Sequence, residues 1–344
     1  MIVLVLSAML GTSKLIAPYL SDLANRDTTE RFQYLAAHLL LTTGAPTDWG
    51  QLKSTVPSSF GLAREDAILP YELDLDKVTR LNSENIHSLA YSDLWQAFGV
   101  KDVSFQIEIK TLFELSIDLV SNLTHGSQTT YEFEVTTQKS GMPISTSLSS
   151  YAVVKDFVNK TESSTSSAGI GRVTIGIPNS INGTALFLVF AKSKANPQIV
   201  SFNAHILAHN SQSPLPNGTF VRFSPLDYVL NASFAYAAGE VLKAQVFTFS
   251  YNFSLTEKTQ GVQTVEYIIP RLLDASPMVI VLTGVNGSAS FAEWVAYPQI
   301  PLQIGADFSE SIAGSRIAVH SQIVTINSAL YEVVTKWGGL SNNV

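Results

Sequence analysis

The order of apolar and polar positions divides the chain into three regimes. Met1–Leu10 reads MIVLVLSAML, and the apolar run continues through Leu15, Ile16 and Ala17 to Leu20 with Lys14 as its one charge. Spanning a bilayer takes about 20 such residues, so the run is near the lower limit. No basic segment precedes it and no small-residue cleavage site comes after it. That pattern fits a standard secretory signal poorly and fits a chain whose short leader has been removed. From Ser21 to Thr43 there is neither Pro nor Gly, and Leu20, Leu23, Ala24, Arg31, Tyr34, Leu35, His38, Leu39 and Thr42 fall near one face at helical spacing. Asp22, Arg26, Asp27 and Glu30 take the polar side. Gly44 and Pro46 then provide a stop. The spacing predicts a helix of some 40 residues, about 60 Å at 1.5 Å per residue, bent at Pro18.

Residues 44–102 form a second regime, irregular and punctuated by Pro57 and Gly61. Short helices are predicted at Lys77–Leu81 and Ser92–Phe98, and the region reads as a collar between the helix and a β body.

That body begins at Val103, where the period drops to two. Phe105, Ile107 and Ile109, then Leu115, Ile117 and Leu119, alternate with polar residues, as half-buried strands do. The pattern recurs at Thr129–Thr137, Arg172–Ile177, Ala185–Phe190, Gln198–Leu207, Val241–Phe253, Val262–Ile269, Met278–Leu282, Arg316–Ile326 and Leu330–Thr335. Turn pairs such as Asn182-Gly183 and Asn286-Gly287 separate the strands. Asn159–Gly171 (NKTESSTSSAGIG) reads as a mobile Ser/Thr-rich loop or a glycosylated surface segment, and Asn210–Gly218 (NSQSPLPNG) as a linker between two sandwiches or a long surface loop of one. The expected fold is therefore α+β: a long N-terminal hydrophobic and amphipathic α-helix, then a mostly antiparallel β-sandwich body of one large or two Ig-like sandwiches. The expected segments are a helix over 1–43, a collar over 44–102, and sandwiches over 103–212 and 213–344.

Composition narrows the function. Hydrophobic residues make up 46% of the chain and charged ones only 14%, against roughly 25% charged in an ordinary soluble domain. Uncharged hydroxyls and amides carry the polarity instead, which suits exported β proteins and surfaces buried against copies of themselves. The net charge of −7, with no Lys/Arg cluster, excludes a phosphate-backbone partner. Without cysteine there are neither disulfides nor thiolate metal sites.

No nucleophile elbow, phosphate loop, dinucleotide fingerprint or HEXXH motif occurs, so neither an enzymatic site nor a cofactor is expected. His205 and His209 share a face four residues apart but lack a third ligand, so they read as polar surface or interface residues. Glu72, Asp74 and Asp76 alternate, without the glycine and spacing of a calcium loop, and read as a solvated acidic edge. Aromatic residues crowd two stretches: Tyr228, Phe234, Tyr236, Phe247, Phe249, Tyr251 and Phe253, then Phe291, Trp294 and Tyr297. Core filling and inter-subunit packing are the common uses of such residues, and a carbohydrate platform is the other.

Three collar segments carry a resemblance. LLLTTGAPTDWG (Leu39–Gly50), FGLA (Phe60–Ala63) and YELDLDKVTRLN (Tyr71–Asn82) resemble archaeal type IV pilin-like proteins. In those, a hydrophobic N-terminal helix leads into a TTpGxPxxW turn, a GLA patch and an LdxxKvxxL segment. The resemblance covers about the first hundred residues. It implies processing by a prepilin-type peptidase, membrane insertion before assembly, and a surface filament built from copies of the chain through the N-terminal helix.

The β region carries Asn-X-Ser/Thr at Asn122, Asn159, Asn182, Asn217, Asn231, Asn252 and Asn286, and none lies earlier. That is about twice the number expected by chance from Asn, Ser and Thr content, and glycans belong on exposed surface. The expected protein is a cell-surface structural subunit, with itself, the membrane and possible surface or glycan ligands as partners. A monomeric membrane-anchored surface glycoprotein for adhesion or cell coat is the alternative.

Overall fold

The computed structural model describes residues 29–235, 239–309 and 317–339. Of these, 54% are strand and 9% helix, and the helices are three and short. The α+β expectation with its long apolar helix is thereby corrected to a mostly β fold. The first helix, α1, is described over residues 29–41, and the apolar run Met1–Leu20 lies outside the described residues. No helix among the described residues is long and apolar enough to cross a membrane. The face of α1 also differs from the one read off the sequence. Phe32, Leu35, Ala36, Leu39 and Leu40 are buried, whereas Arg31 and Tyr34 are exposed. This is still a helical stripe (i, i+3, i+4, i+7, i+8), rotated toward Phe32.

Two further helices come next, α2 (Leu75–Thr79) and α3 (Tyr91–Phe98), close to the expected places. Gly99 ends α3 in the left-handed conformation at φ 75°, which a residue without Cβ adopts freely.

The strands form five sheets. Sheet A, at the collar, runs in the order Glu72–Leu73, Ala318–Ile326, Ala329–Gly339, Val103–Thr111, Leu302–Gly305. Its first pair is parallel and the rest antiparallel. Val103–Thr111, the first strand after the collar, thus pairs with the last described strand of the chain, Phe105 opposite Trp337.

Sheet B contains Glu114–His125, Gln128–Lys139 and Ile170–Pro178, with the two-residue Met142–Pro143 at one end. Sheet C orders Val200–His209, Gly183–Ser193, Thr146–Val154 and Phe157–Ser164. Sheet D orders Asn252–Ser254, Gly239–Phe247, Met278–Asn286 and Ala289–Tyr297. Sheet E orders Val221–Leu226, Val229–Phe234, Thr264–Ile268 and Thr256–Gln260.

Sheets B to E stack face to face. B packs on C through Leu148, Ala185, Val189 and the stacked pair Phe133–Phe187, whose ring centroids are 3.8 Å apart. The other face of C, with Tyr151, Leu186, Leu188 and Phe190, meets Phe247, Val279, Val281 and Ala292 of D. The other face of D, with Val246, Ile280, Leu282 and Phe291, joins E and the collar in the largest core. C and D are therefore buried on both faces. Their central strands carry unbroken apolar runs, ALFLVFA from Ala185 and MVIVL from Met278, in place of strict alternation.

The Ser/Thr-rich tract Asn159–Gly171 is also corrected. It is largely ordered as the ends of two strands, Phe157–Ser164 and Ile170–Pro178. Thr161 and Ser163 pair with Ser150 and Leu148 across the ladder. Polarity alone does not imply flexibility: a β-branched, hydroxyl-rich stretch suits the outermost strand of a sheet as well as it suits a loop.

Candidate functional site: the collar mount and the cleft beside it

Leu39–Gly50, Phe60–Ala63 and Tyr71–Asn82 fold into one hydrogen-bonded mount at the C-terminal end of α1. Thr42 closes the helix by returning both N–H and Oγ1 to the His38 carbonyl, at 3.0 and 2.8 Å. Gly44 then turns the chain at φ 74°, where a Cβ would strike the Ser59 carbonyl and crowd the backbone of Gly61. The Ala45–Pro46 bond is cis. Phe60–Ala63 runs back along the helix end, Leu62 N–H donating to the Leu39 carbonyl and Ala63 N–H to that of Thr42, both at 2.9 Å. Gly61 allows this approach, because any Cβ there would overlap Thr42.

Trp49 fills the space beneath. Its indole is fully buried, donates to the Gly61 carbonyl at 3.1 Å and packs on Phe60.

The helix α2 pins these turns with charged side chains. Asp74 caps it, accepting from the N–H groups of Asp76 and Lys77 at 3.0 and 2.9 Å. Lys77 is wholly buried, and its Nζ donates to the carbonyls of Thr43 at 2.9 Å and Ala63 at 2.8 Å. Burial lowers its pKa, with Asp74 the largest opposing influence. Arg80, also buried, donates to the carbonyls of His87 and Trp49 at 2.9 and 2.6 Å, with its guanidinium over the Trp49 ring. One lysine and one arginine thus satisfy four carbonyls that the turns would otherwise leave unpaired in the core.

The acidic stretch is no solvated edge. Glu72 is paired with Arg64, Asp74 is the cap, and Asp76 is 3% exposed. Asp76 Oδ1 accepts from the Tyr297 hydroxyl at 2.6 Å and the Asp227 N–H at 2.9 Å, tying the mount to sheets D and E. Burial pushes this carboxyl up to about 7, partly offset by those two donors. Burial beside Asp76 also holds the Tyr297 hydroxyl well above its ordinary value.

A cleft of about 590 Å³ opens where the mount, the B/C pair and the D/E pair meet. Phe202 and Trp294 form one corner, their rings perpendicular with centroids 5.7 Å apart. Trp294 is half-buried and held at its backbone: Asn217 Oδ1 accepts its N–H at 2.8 Å, and Asn217 Nδ2 donates to its carbonyl at 2.9 Å. Next to it, the buried Glu293 carboxylate accepts the N–H groups of Phe220 and Val221 at 2.8 and 2.7 Å. Burial raises the pKa of Glu293 against these bonds.

The remaining sequence candidates are distributed. Asn122, Asn182, Asn217 and Asn252 are exposed, and Asn159, Asn231 and Asn286 are partly buried. Some of these amides are already engaged, Asn217 on Trp294 and Asn159 on the Gly176 carbonyl at 3.0 Å. The histidines are not surface residues of one kind. His205 is half-buried edge-on to Phe133, whereas His209 is fully buried. Both His209 ring nitrogens have protein partners, Tyr131 Oη at 2.8 Å and the Pro178 carbonyl at 3.0 Å.

The aromatic crowd splits likewise. Phe247, Phe291 and Tyr297 are core, Tyr251 and Phe253 are exposed, and Tyr236 lies outside the described residues. Sequence reasoning passed over Asn217 as a clamp and Arg222 as a cleft residue. Neither carries a local signal, since each acquires its role from a distant strand.

No family model and no curated protein matches the chain. Among solved structures it is similar to HBP35 of Porphyromonas gingivalis, at 11% identity and a TM-score of 0.20 over 54% of this chain. The chain spans 64% of the length of that structure. It is also similar to a marsupial T cell receptor, at 8% identity and a TM-score of 0.18, covering 54% of this chain and 95% of that one. Both similarities are too shallow to place the chain in a fold family.

Proposed function

We propose that the chain is a structural subunit of a cell-surface filament of the archaeal type IV pilus kind, with its apolar N-terminal segment as root and its β body outside. The observation that carries this reading is the mount. The three segments that bear the pilin-like resemblance close on one another and on the end of α1 through Trp49, Lys77 and Arg80. A subunit that transmits force from a buried root to an external body needs a rigid joint at this point. Hydrogen bonds from buried cations to backbone carbonyls supply one that resists reorientation.

The alternative is a monomeric membrane-anchored surface glycoprotein, supported by sequon asparagines that are all at least partly accessible. Electron microscopy of surface material from the source cells, with peptide identification of any filaments, separates the two. Filaments containing this chain, lost on deletion of Met1–Leu20, support the subunit reading. Dispersed particles in full-length extracts, with filaments that never contain the chain, overturn it.

A further inference from the structure

The cleft between the mount and the sheet stack serves no part of the filament reading, yet its walls are held in place by directed bonds. The Asn203 amide is fixed by donating to the Leu115 carbonyl at 2.7 Å. On the opposite wall Gln299, 6% exposed, accepts from Asn85 Nδ2 at its Oε1, 2.7 Å away, and from Asn82 Nδ2 at its carbonyl, 3.0 Å away. Trp294 is clamped through its backbone by Asn217. Into the space between these fixed walls reach Arg222 and Glu84, both exposed, and neither has an ion pair among the described residues. Glu114 stands at the same rim.

We propose that this cleft is a saccharide-binding site, with Trp294 as the stacking platform and Arg222 and Glu84 as the groups that hold the hydroxyls. Its volume lies within the range of small-molecule pockets, and its position at the junction of three packed units is where such pockets form. The chemistry of the lining selects the class of ligand. A wholly apolar ligand would strip water from Arg222 and Glu84 and give nothing back, a penalty that decides against it. A phosphate-bearing ligand would find one guanidinium but two carboxylates, and like charge repels. A sugar ring has an apolar C–H face for the indole and hydroxyls that donate to a carboxylate and accept from a guanidinium in the same plane. Phe202, perpendicular to the indole, lines the cleft beside it. Pre-fixed amides add hydrogen-bonding capacity without ordering cost on binding.

The inference goes beyond the filament reading and stands or falls separately, because binding is measured on dispersed subunits. Full-length protein in detergent is titrated, by tryptophan fluorescence and calorimetry, with neutral tri- and tetrasaccharides (chitotriose, cellotriose, mannotetraose). In a second arm it is titrated with N-glycans released from the protein itself. At least one probe is expected to bind, with Trp294 emission changing on saturation. Arg222→Ala and Glu84→Gln, at exposed positions that leave the core untouched, should each weaken binding about tenfold, the loss of one charge-assisted hydrogen bond. Trp294→Ala should abolish it, and far-UV circular dichroism checks its fold. Binding to the released glycans points to a ligand on neighbouring copies, and binding to the purchased saccharides alone points to a foreign surface. Both support the site. Absence of binding by every probe at about 10 mM, a concentration that still detects millimolar affinity, overturns it. So does binding that Arg222→Ala and Glu84→Gln leave unchanged.

Discussion

The mount and the sheet stack are both fully packed, but different forces hold them. In sheets C and D, strands such as Gly183–Ser193 and Met278–Asn286 bury side chains on both faces, and the contacts are apolar. Each large side chain so buried contributes about 1.5–3 kcal/mol, with little dependence on direction. In the mount, turns and a short helix leave carbonyls that no ladder can satisfy. Two buried cations donate to those carbonyls, and a buried carboxylate accepts from a remote hydroxyl and N–H. Apolar burial makes a body stable. Directed bonds from charged groups make a joint whose angle is defined.

The largest expected effect lies in the stack. Phe187→Ala removes a fully buried ring that lies flat on Phe133, and should cost about 3–5 kcal/mol in urea unfolding. Amide exchange at Leu39–Ala63 should keep its native pattern below the transition. If the mount opens together with the stack, the two regions are one cooperative unit and the contrast between them fails.

Lys77→Met keeps the length of the side chain but removes the ammonium. It should cost about 1–3 kcal/mol for each of the two carbonyls left unpaired. The exchange rates that rise should be those of Leu62, Ala63 and their neighbours. A uniform rise across sheets C and D would mean that the lysine supports general packing and not the joint.

The pH dependence comes next. Asp76 is held at about 7 in the folded state, above the ordinary carboxylate value, so the folded protein binds its proton more tightly than the unfolded chain. Its contribution is therefore greatest below about pH 4 and declines as pH rises to about 7, where it levels off. The melting temperature should fall across that window, and Asp76→Asn should flatten the fall. Glu293, also raised by burial, leaves a residual slope of the same sign. His87, lowered by burial, adds a slope of the opposite sign, so the test is the difference between wild type and Asp76→Asn: a difference that rises over the window would show that the carboxylate's two hydrogen bonds outweigh its burial.

The smallest effect belongs to the exposed bidentate pair between Arg31 of α1 and Asp102, two bonds of 2.8 Å. Solvent and salt screen such a pair. Arg31→Ala should leave the melting temperature unchanged within scatter at about 0.5 M salt, where the screening length is only a few ångströms. A clear drop would mean that this ion pair, and not the buried cations, sets how α1 meets the body.

Period-two alternation located Val103–Thr111, Gln128–Lys139 and Ala329–Gly339 from local sequence, because a strand with one buried face repeats its polarity every second residue. The same logic passed over Thr146–Val154, buried on both faces, and Val221–Leu226, where Pro225 interrupts the pattern. It also gives no strand signal over the hydroxyl-rich Asn159–Gly171, which the structure divides between the strands Phe157–Ser164 and Ile170–Pro178. Local pattern makes His209 a surface or interface residue and Asp76 part of a solvated edge, since neither has a ligand set in sequence, yet both are buried. Their partners, Tyr131 and Tyr297, are 78 and 221 residues away.

Local sequence makes this a chain of many strands with an apolar first segment, and places the backbone breaks after α1 at Gly44, Pro46 and Gly61. Those are local properties, set by side-chain period and by which residues tolerate which backbone angles. The packing of the whole chain sets which strands pair and which faces are buried. It also decided that Lys77 and Asp76 would leave water for the core. Whether a charged group is exposed or enclosed depends on hydrogen-bond partners delivered by remote parts of the chain, and no local pattern encodes their arrival.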